Sequence, residues 1–173
     1  CKQFLNSAGI EIASHVTCIG GAVSKRRWTF SEIKKKADQS PVRCCDPAAS
    51  RAMMARIDFA KNSKDTLGGT FQIRIEGLPS KIAANKELHA CLTFGLMSIQ
   101  AVKGVEINPG MVVSVAMKPI STLMKPLSSV DIRSKKPVVA TVERSDVTAV
   151  PACAVVAEAM AAFEIAKFYK EIK

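Results

Sequence analysis

The chain has 173 residues, 48% of them hydrophobic and 23% charged, which suits one soluble globular domain able to bury a sizeable core. No stretch approaches the ~18 consecutive apolar residues of a membrane-spanning helix, and the apolar tract after Cys1 is too short for a secretory leader, so a cytoplasmic protein without a membrane partner is expected. The 25 Lys and Arg against 15 Asp and Glu give a formal net charge of +10, which favours anionic partners: phosphorylated metabolites, nucleic acid or an acidic protein surface.

Nucleic acid is the weakest of the three. The basic residues are scattered apart from Lys25-Arg26-Arg27 and Lys34-Lys35-Lys36, and those clusters lack interleaved aromatics for base stacking. Both read as solvated faces or loops.

Along the chain, residues 9 to 19 (GIEIASHVTCI) alternate weakly and are rich in β-branched side chains, so they predict a strand closed by Gly20-Gly21. Phe30 to Ala37 predicts a short helix with Ser31 as its cap and the lysines outward. Asp46-Pro47 is a stronger start: an N-cap oxygen for free backbone donors, then a proline where its missing N–H is harmless. Met53, Ile57 and Ala60 follow at helical spacing.

After the polar break at 62 to 65, Gly68-Gly69 leads into TFQIRIEG. There Phe71, Ile73 and Ile75 face one way and Gln72, Arg74 and Glu76 the other, a one-sided strand of an antiparallel sheet packed on helices. A helix is expected from Lys86 to Ile99, with Leu88, Cys91, Leu92, Leu96 and Ile99 as its buried stripe. Two more β-rich tracts run from 111 to 118 and from 137 to 144. From Pro151 on, small and apolar residues cover nearly every face until Lys167, the pattern of a helix held inside a structure. The elements lack a regular βαβ rhythm, a dinucleotide fingerprint or repeats, which favours layered α/β architecture with largely antiparallel sheet.

The six cysteines include no C-x-x-C pair, and adjacent Cys44-Cys45 is a poor tetrahedral chelate, so buried reduced thiols are expected and no metal. His15 and His89 stand apart from other ligand types and read as core or surface histidines.

Several strings occur in an order that resembles one family. DTLGGTFQIRIEGLP (65 to 79), LMSIQAVKGVEI (96 to 107), AMKPIST (116 to 122) and ERSDVTAVPACAVVAEAM (143 to 160) are similar to stretches of chorismate synthase, as are GIEIASHV and SPVRCCDP. The resemblance covers most of the chain. It implies an α/β (α+β layered) β-α-β sandwich, here one incomplete domain over residues 1–173, and a homotetramer. It also implies a carbon-oxygen lyase of the shikimate pathway that makes chorismate by 1,4-anti elimination of phosphate from 5-enolpyruvylshikimate 3-phosphate. That reaction needs reduced FMN although it consumes no net redox equivalents, and NADPH enters only indirectly, to reduce the flavin.

The resemblance also assigns residues. Lys118, Pro119, Ile120, Ser121 and Thr122 match the segment that lies against the flavin; an ammonium and two hydroxyls suit phosphate or ribityl oxygens, and the proline holds the backbone extended. Arg144 and Asp146 match an R-x-D segment in which the arginine contacts the flavin and the aspartate sits by its reactive edge. Asp146 is the one catalytic candidate, a carboxylate placed to take or relay a proton. Taken alone, the 118 to 122 motif reads equally as a strand end and a proline turn, and Arg144 and Asp146 read better as a strand end and a cap of the turn before Pro151. Lys103 and Glu106 also match, but in a segment that reads as a structural strand.

The departures are substantial. The family's G-E-S-H-G segment, its second catalytic histidine and its arginine-rich flavin and substrate segment have no counterpart, so no catalytic histidine is assignable. After GLP a glycine-rich stretch is missing, and VEINPGMVVSV joins two segments that the family separates by several tens of residues. The expectation is therefore that these are the ordered residues of a longer chain without bound flavin, joined without gaps. The alternative is a shortened, non-catalytic module that binds flavin or a phosphometabolite or serves oligomer assembly.

Overall fold

The computed structural model describes residues 1–172. It opens with a short helix, α1 (Lys2–Ser7), which sequence patterning did not indicate, followed by strands β1 (Glu11–Ile19) and β2 (Ala22–Val23) joined through Gly20-Gly21. Helix α2 spans Phe30–Lys36, and its N-cap is Thr29, not Ser31. The Thr29 side chain accepts from the Glu32 amide while the Glu32 carboxylate accepts from the Thr29 amide at 3.0 Å, a reciprocal capping box that fixes the start two residues earlier than the hydroxyl of Ser31 would.

The two basic clusters have a structural use. Arg26 and Lys36 lie over the Trp28 ring at 4.2 and 4.5 Å from its centroid, and Trp28 is buried with Phe30, Ile33, Ala37 and Cys45 beside Ala13 of β1.

Helix α3 (Pro47–Asn62) begins as its sequence predicts, with Asp46 Oδ1 accepting from the Ala48 amide at 2.9 Å and the Ala49 amide at 3.3 Å. Strand β3 (Gly69–Glu76), the single-turn α4 (Ser80–Ala83) and α5 (Lys86–Met97) follow. Leu88, Leu92 and Leu96 are fully buried along α5, whereas Cys91 and Ile99 are half-buried, so the stripe is narrower than expected and the helix ends two residues early. Strands β4 (Val102–Asn108) and β5 (Val112–Met117) form a hairpin. The tract from 137 to 144 yields only β7 (Pro137–Val139), paired with β6 (Ser128–Val130) in a separate, exposed two-stranded ribbon. Helix α6 (Val150–Ile172) closes the fold.

The main sheet has the order β2-β1-β3-β5-β4, with every pairing antiparallel. Its apolar face, including Val16, Phe71, Ile73, Val113 and Val115, packs on α5 and α6. Helix α6 meets that face through Ala154, Ala157 and Ala161, whose small side chains let the backbones approach closely, and through Ile165. Each fully buried Leu or Ile in this layer contributes about 1.5–3 kcal/mol relative to exposure. The opposite face is polar: Thr17 and Thr70 hydroxyls are 2.8 Å apart, and the Gln72 amide donates to Ser114 at 3.3 Å.

Sheet and helix layers are as the α+β expectation requires. The second sheet among the described residues is the two-stranded ribbon β6-β7. The outward sides of α5 and α6 leave Phe94, Val155, Val156 and Phe163 exposed, so the nearly all-round apolar character of α6 is covered on one side only.

Three cysteines, Cys44, Cys45 and Cys153, are buried free thiols, Cys18 and Cys91 are half-buried, and Cys1 is exposed, so the expectation of buried thiols holds for half of them. Burial pushes the Cys45 thiol up to about 11, the opposite of what a reactive thiolate needs.

Candidate functional site

The candidate segments are held by one short run of backbone, Thr66-Leu67-Gly68, between α3 and β3. The Thr66 hydroxyl donates to the Ile120 carbonyl at 2.7 Å, and the Leu67 amide donates to the Val147 carbonyl at 2.7 Å. Gly68 fits because it has no side chain: a Cβ there would stand 2.5 Å from the Met117 carbonyl oxygen and 2.9 Å from Pro119 Cδ. The Lys118 amide donates to Ala101 O at 2.9 Å, which fixes the exit of the segment from β5. Residues 118–122 and 144–148 are therefore pinned to the same three peptides although more than twenty residues separate them in sequence.

From that common anchor the two segments face different spaces. Arg144, Ser145 and Asp146 line a cavity of about 680 Å³ with Ile57, Lys61, Lys64, Asp65, Thr66 and Met124. Ser121 and Thr122 line a smaller recess of about 200 Å³ against Ala140, Thr141 and Glu143. Lys118 and Pro119 are exposed and Ile120 is half-buried, and none of the three lines either space.

The Arg144 and Asp146 side chains are 92% and 76% exposed, with Nη2 and Oδ1 4.0 Å apart. Such an exposed pair contributes little by itself, so both groups are free to turn towards a ligand. The larger cavity has the size usual for small-molecule sites and their usual lining, apolar groups with a few placed charges and hydroxyls. Three cations beside the apolar side chains of Ile57, Met124 and Val147 make it chemically suited to an anionic ligand with an apolar part.

Neither histidine lies there. His15 is buried in β1 opposite Gln72, and His89 holds the Ala83 carbonyl through Nε2 at 2.7 Å, beside the β4–β5 turn. Sequence reading treated residues 62 to 65 as a polar break and missed their neighbourhood as the hub of the site. The usable signal was the pair Asp65-Thr66 before Gly68-Gly69: a carboxylate that accepts from the Thr66 amide at 2.7 Å and a hydroxyl free to bind a distant carbonyl.

A family model described as chorismate synthase matches residues 1–114 and 108–169. The chain belongs to the chorismate synthase family. Chorismate synthase of Geobacillus kaustophilus is 36% identical over 213 residues, covering 95% of this chain and 55% of that protein. Chorismate synthase of Listeria innocua is 38% identical with the same coverage. A crystal structure of chorismate synthase superposes with a TM-score of 0.70 at 26% identity, covering 96% of this chain and 59% of that one. The chain thus spans about half the length of the chorismate synthases it matches.

The two family-model matches meet at 108–114, and the aligned 213 residues exceed the 173 of this chain, so relatives carry internal residues without a counterpart here. The meeting point is the β4–β5 turn. Asn108 pairs with Val112, and Pro109, Gly110 (φ 75) and Met111 (φ 53) close the loop. That turn lies at the end of β5 away from Lys118, on the order of 17 Å along the strand at the usual rise per residue.

Proposed function

We propose that this chain is the part of a chorismate synthase that holds the flavin against 5-enolpyruvylshikimate 3-phosphate, in a cytoplasmic homotetramer whose FMN is reduced at the expense of NADPH. One observation carries the reading: in a chain of this family, the Thr66–Gly68 run draws together the two segments that resemble the flavin site, and Arg144 to Asp146 line a ligand-sized cavity. Lys118, Ser121, Thr122 and Arg144 would hold the cofactor's polar and charged groups, with Pro119 and Ile120 shaping the backbone between them. When bound, reduced FMN supplies electron density as phosphate leaves and recovers it as the C6 proton is lost.

The protein's own part is positional and electrostatic. In the elimination the C–O bond to phosphate breaks, the C6 proton departs and a new double bond forms, with no net change in oxidation state. Cations fixed at the phosphate end favour the departing dianion. The Asp146 carboxylate takes or relays the proton, and its exposure in this chain leaves it able to face the ligand.

The second reading, a non-catalytic binding or assembly module, draws its support from the positions of His15 and His89, both away from the cavity. An anaerobic assay of phosphate release and chorismate formation with reduced FMN, on protein of known intact mass, separates the two. The expected result is turnover that falls roughly hundredfold in Asp146→Ala, the scale of a lost general base. Turnover unchanged in that variant removes the role given to Asp146. Flavin binding without any turnover favours the module.

A further inference from the structure

Besides Arg144, two cations line the cavity: Lys61, in the last turn of α3, and Lys64, just beyond it. Lys64 has φ 58, the left-handed conformation that glycine adopts without strain at the end of a helix. The turn is closed by Lys64 N donating to Lys61 O at 3.1 Å and Asp65 N donating to Ala60 O at 2.9 Å, so both lysines stand on a fixed piece of backbone. Among the described residues neither lysine forms an ion pair. Of the carboxylates sharing this cavity, Asp65 Oδ1 accepts from the Thr66 amide at 2.7 Å and Asp146 lies 4.0 Å from Arg144.

We infer that Lys61 and Lys64 form a subsite for a phosphate-monoester dianion inside this cavity, an assignment that rests on the ligand-binding reading of the preceding section. Each ammonium offers three donors and no acceptor, and two of them on one turn match the charge of a dianion. The Thr148 hydroxyl accepts from the Val150 amide at 3.4 Å and keeps its proton for the same ligand. Both FMN and 5-enolpyruvylshikimate 3-phosphate carry a phosphate monoester, so the subsite serves one or the other.

The test is binding of FMN, riboflavin and inorganic phosphate to wild type, Lys61→Ala and Lys64→Gly, followed by flavin fluorescence and calorimetry. Lys64→Gly relieves the left-handed strain, so its melting temperature should hold or rise, and lost binding in it is not lost folding. FMN binding roughly tenfold weaker in each variant, with riboflavin unaffected, supports the subsite and assigns it to the cofactor's phosphate. Inorganic phosphate weakened by the same factor, with FMN unchanged, supports it and assigns it to the substrate's phosphate. If FMN and phosphate bind all three proteins alike, the subsite is overturned while the flavin reading stands. If wild type binds no FMN, the flavin reading falls; the subsite then stands only if wild type binds phosphate and Lys64→Gly weakens it, and no phosphate binding overturns both.

Discussion

Replacing Glu158 with alanine should cost about 3–5 kcal/mol of folding stability, the scale on which removing one partner of a buried ion pair destabilises a protein. The Glu158 side chain is 7% exposed on α6 and gathers four elements of the fold. Oε1 accepts from the Ser14 amide at 2.8 Å, from the Ser14 hydroxyl at 2.6 Å and from Arg43 Nη2 at 2.9 Å, while Oε2 meets Lys2 of α1. Arg43 is itself only 16% exposed and sits in the left-handed region at φ 55, on a loop whose carbonyl accepts from the Val16 amide at 2.9 Å. Alanine at 158 therefore removes the acceptor of the Ser14 amide and one of the two carboxylates that neutralise Arg43, which is left with Asp38 and the Ser14 carbonyl in a region with little access to water.

Lys2 is nearly half exposed, so Lys2→Ala should cost under about 1 kcal/mol. Equilibrium urea unfolding checks both, and the cost of Glu158→Ala should shrink in the presence of Arg43→Met, which removes the guanidinium that Glu158 neutralises. A loss below about 1 kcal/mol for Glu158→Ala alone would mean that water or rearranged side chains replace the network, and the contacts above would then be structural ornament. The network also bears on the site. Helix α6 begins at Val150, two residues after Thr148 of the cavity, so the bonds that seat α6 on β1 also fix where the Arg144–Thr148 segment leaves off.

The sheet was legible in the sequence wherever one face of a strand is apolar. TFQIRIEG alternates because Phe71, Ile73 and Ile75 enter the core, and Asp46-Pro47 announced α3 through local chemistry alone. Helix α1 was hidden because it is six residues long and buries only Leu5. The 137–144 tract misled for the converse reason: Val138, Val139 and Val142 have β-propensity but no core to face, so pairing stops after three residues. The site was legible only as strings. That Arg144 to Asp146 would share a wall with Lys61 and Lys64 depends on the Leu67 to Val147 hydrogen bond, a contact between residues 80 apart in sequence that no periodicity encodes.

Folding stability should also fall by about 2 kcal/mol between pH 7 and pH 5, and one residue should account for most of it. His15 is 2% exposed, and its Nδ1 has no hydrogen-bond partner. Burial, helped by the positive charge of Arg74 and opposed by hydrogen bonding from Gln72 and the Val16 backbone, pushes its pKa from 6.5 down to about 4. Above pH 6.5 both folded and unfolded chains carry a neutral imidazole and the group contributes nothing. Between 6.5 and about 4 the unfolded chain binds a proton that the folded chain refuses, so stability declines as pH drops; below about 4 both are protonated and the loss levels off near 3 kcal/mol. The window from pH 7 to 5 isolates this effect because ordinary carboxylates take up few protons there. In His15→Gln, a side chain that cannot titrate, the urea midpoint should stay nearly level across the same window. A wild-type midpoint equally level would show that the folded chain admits the proton, either by opening β1 to water or by turning Arg74 away, and the sheet's polar face would then be wetter than the burial of His15 implies.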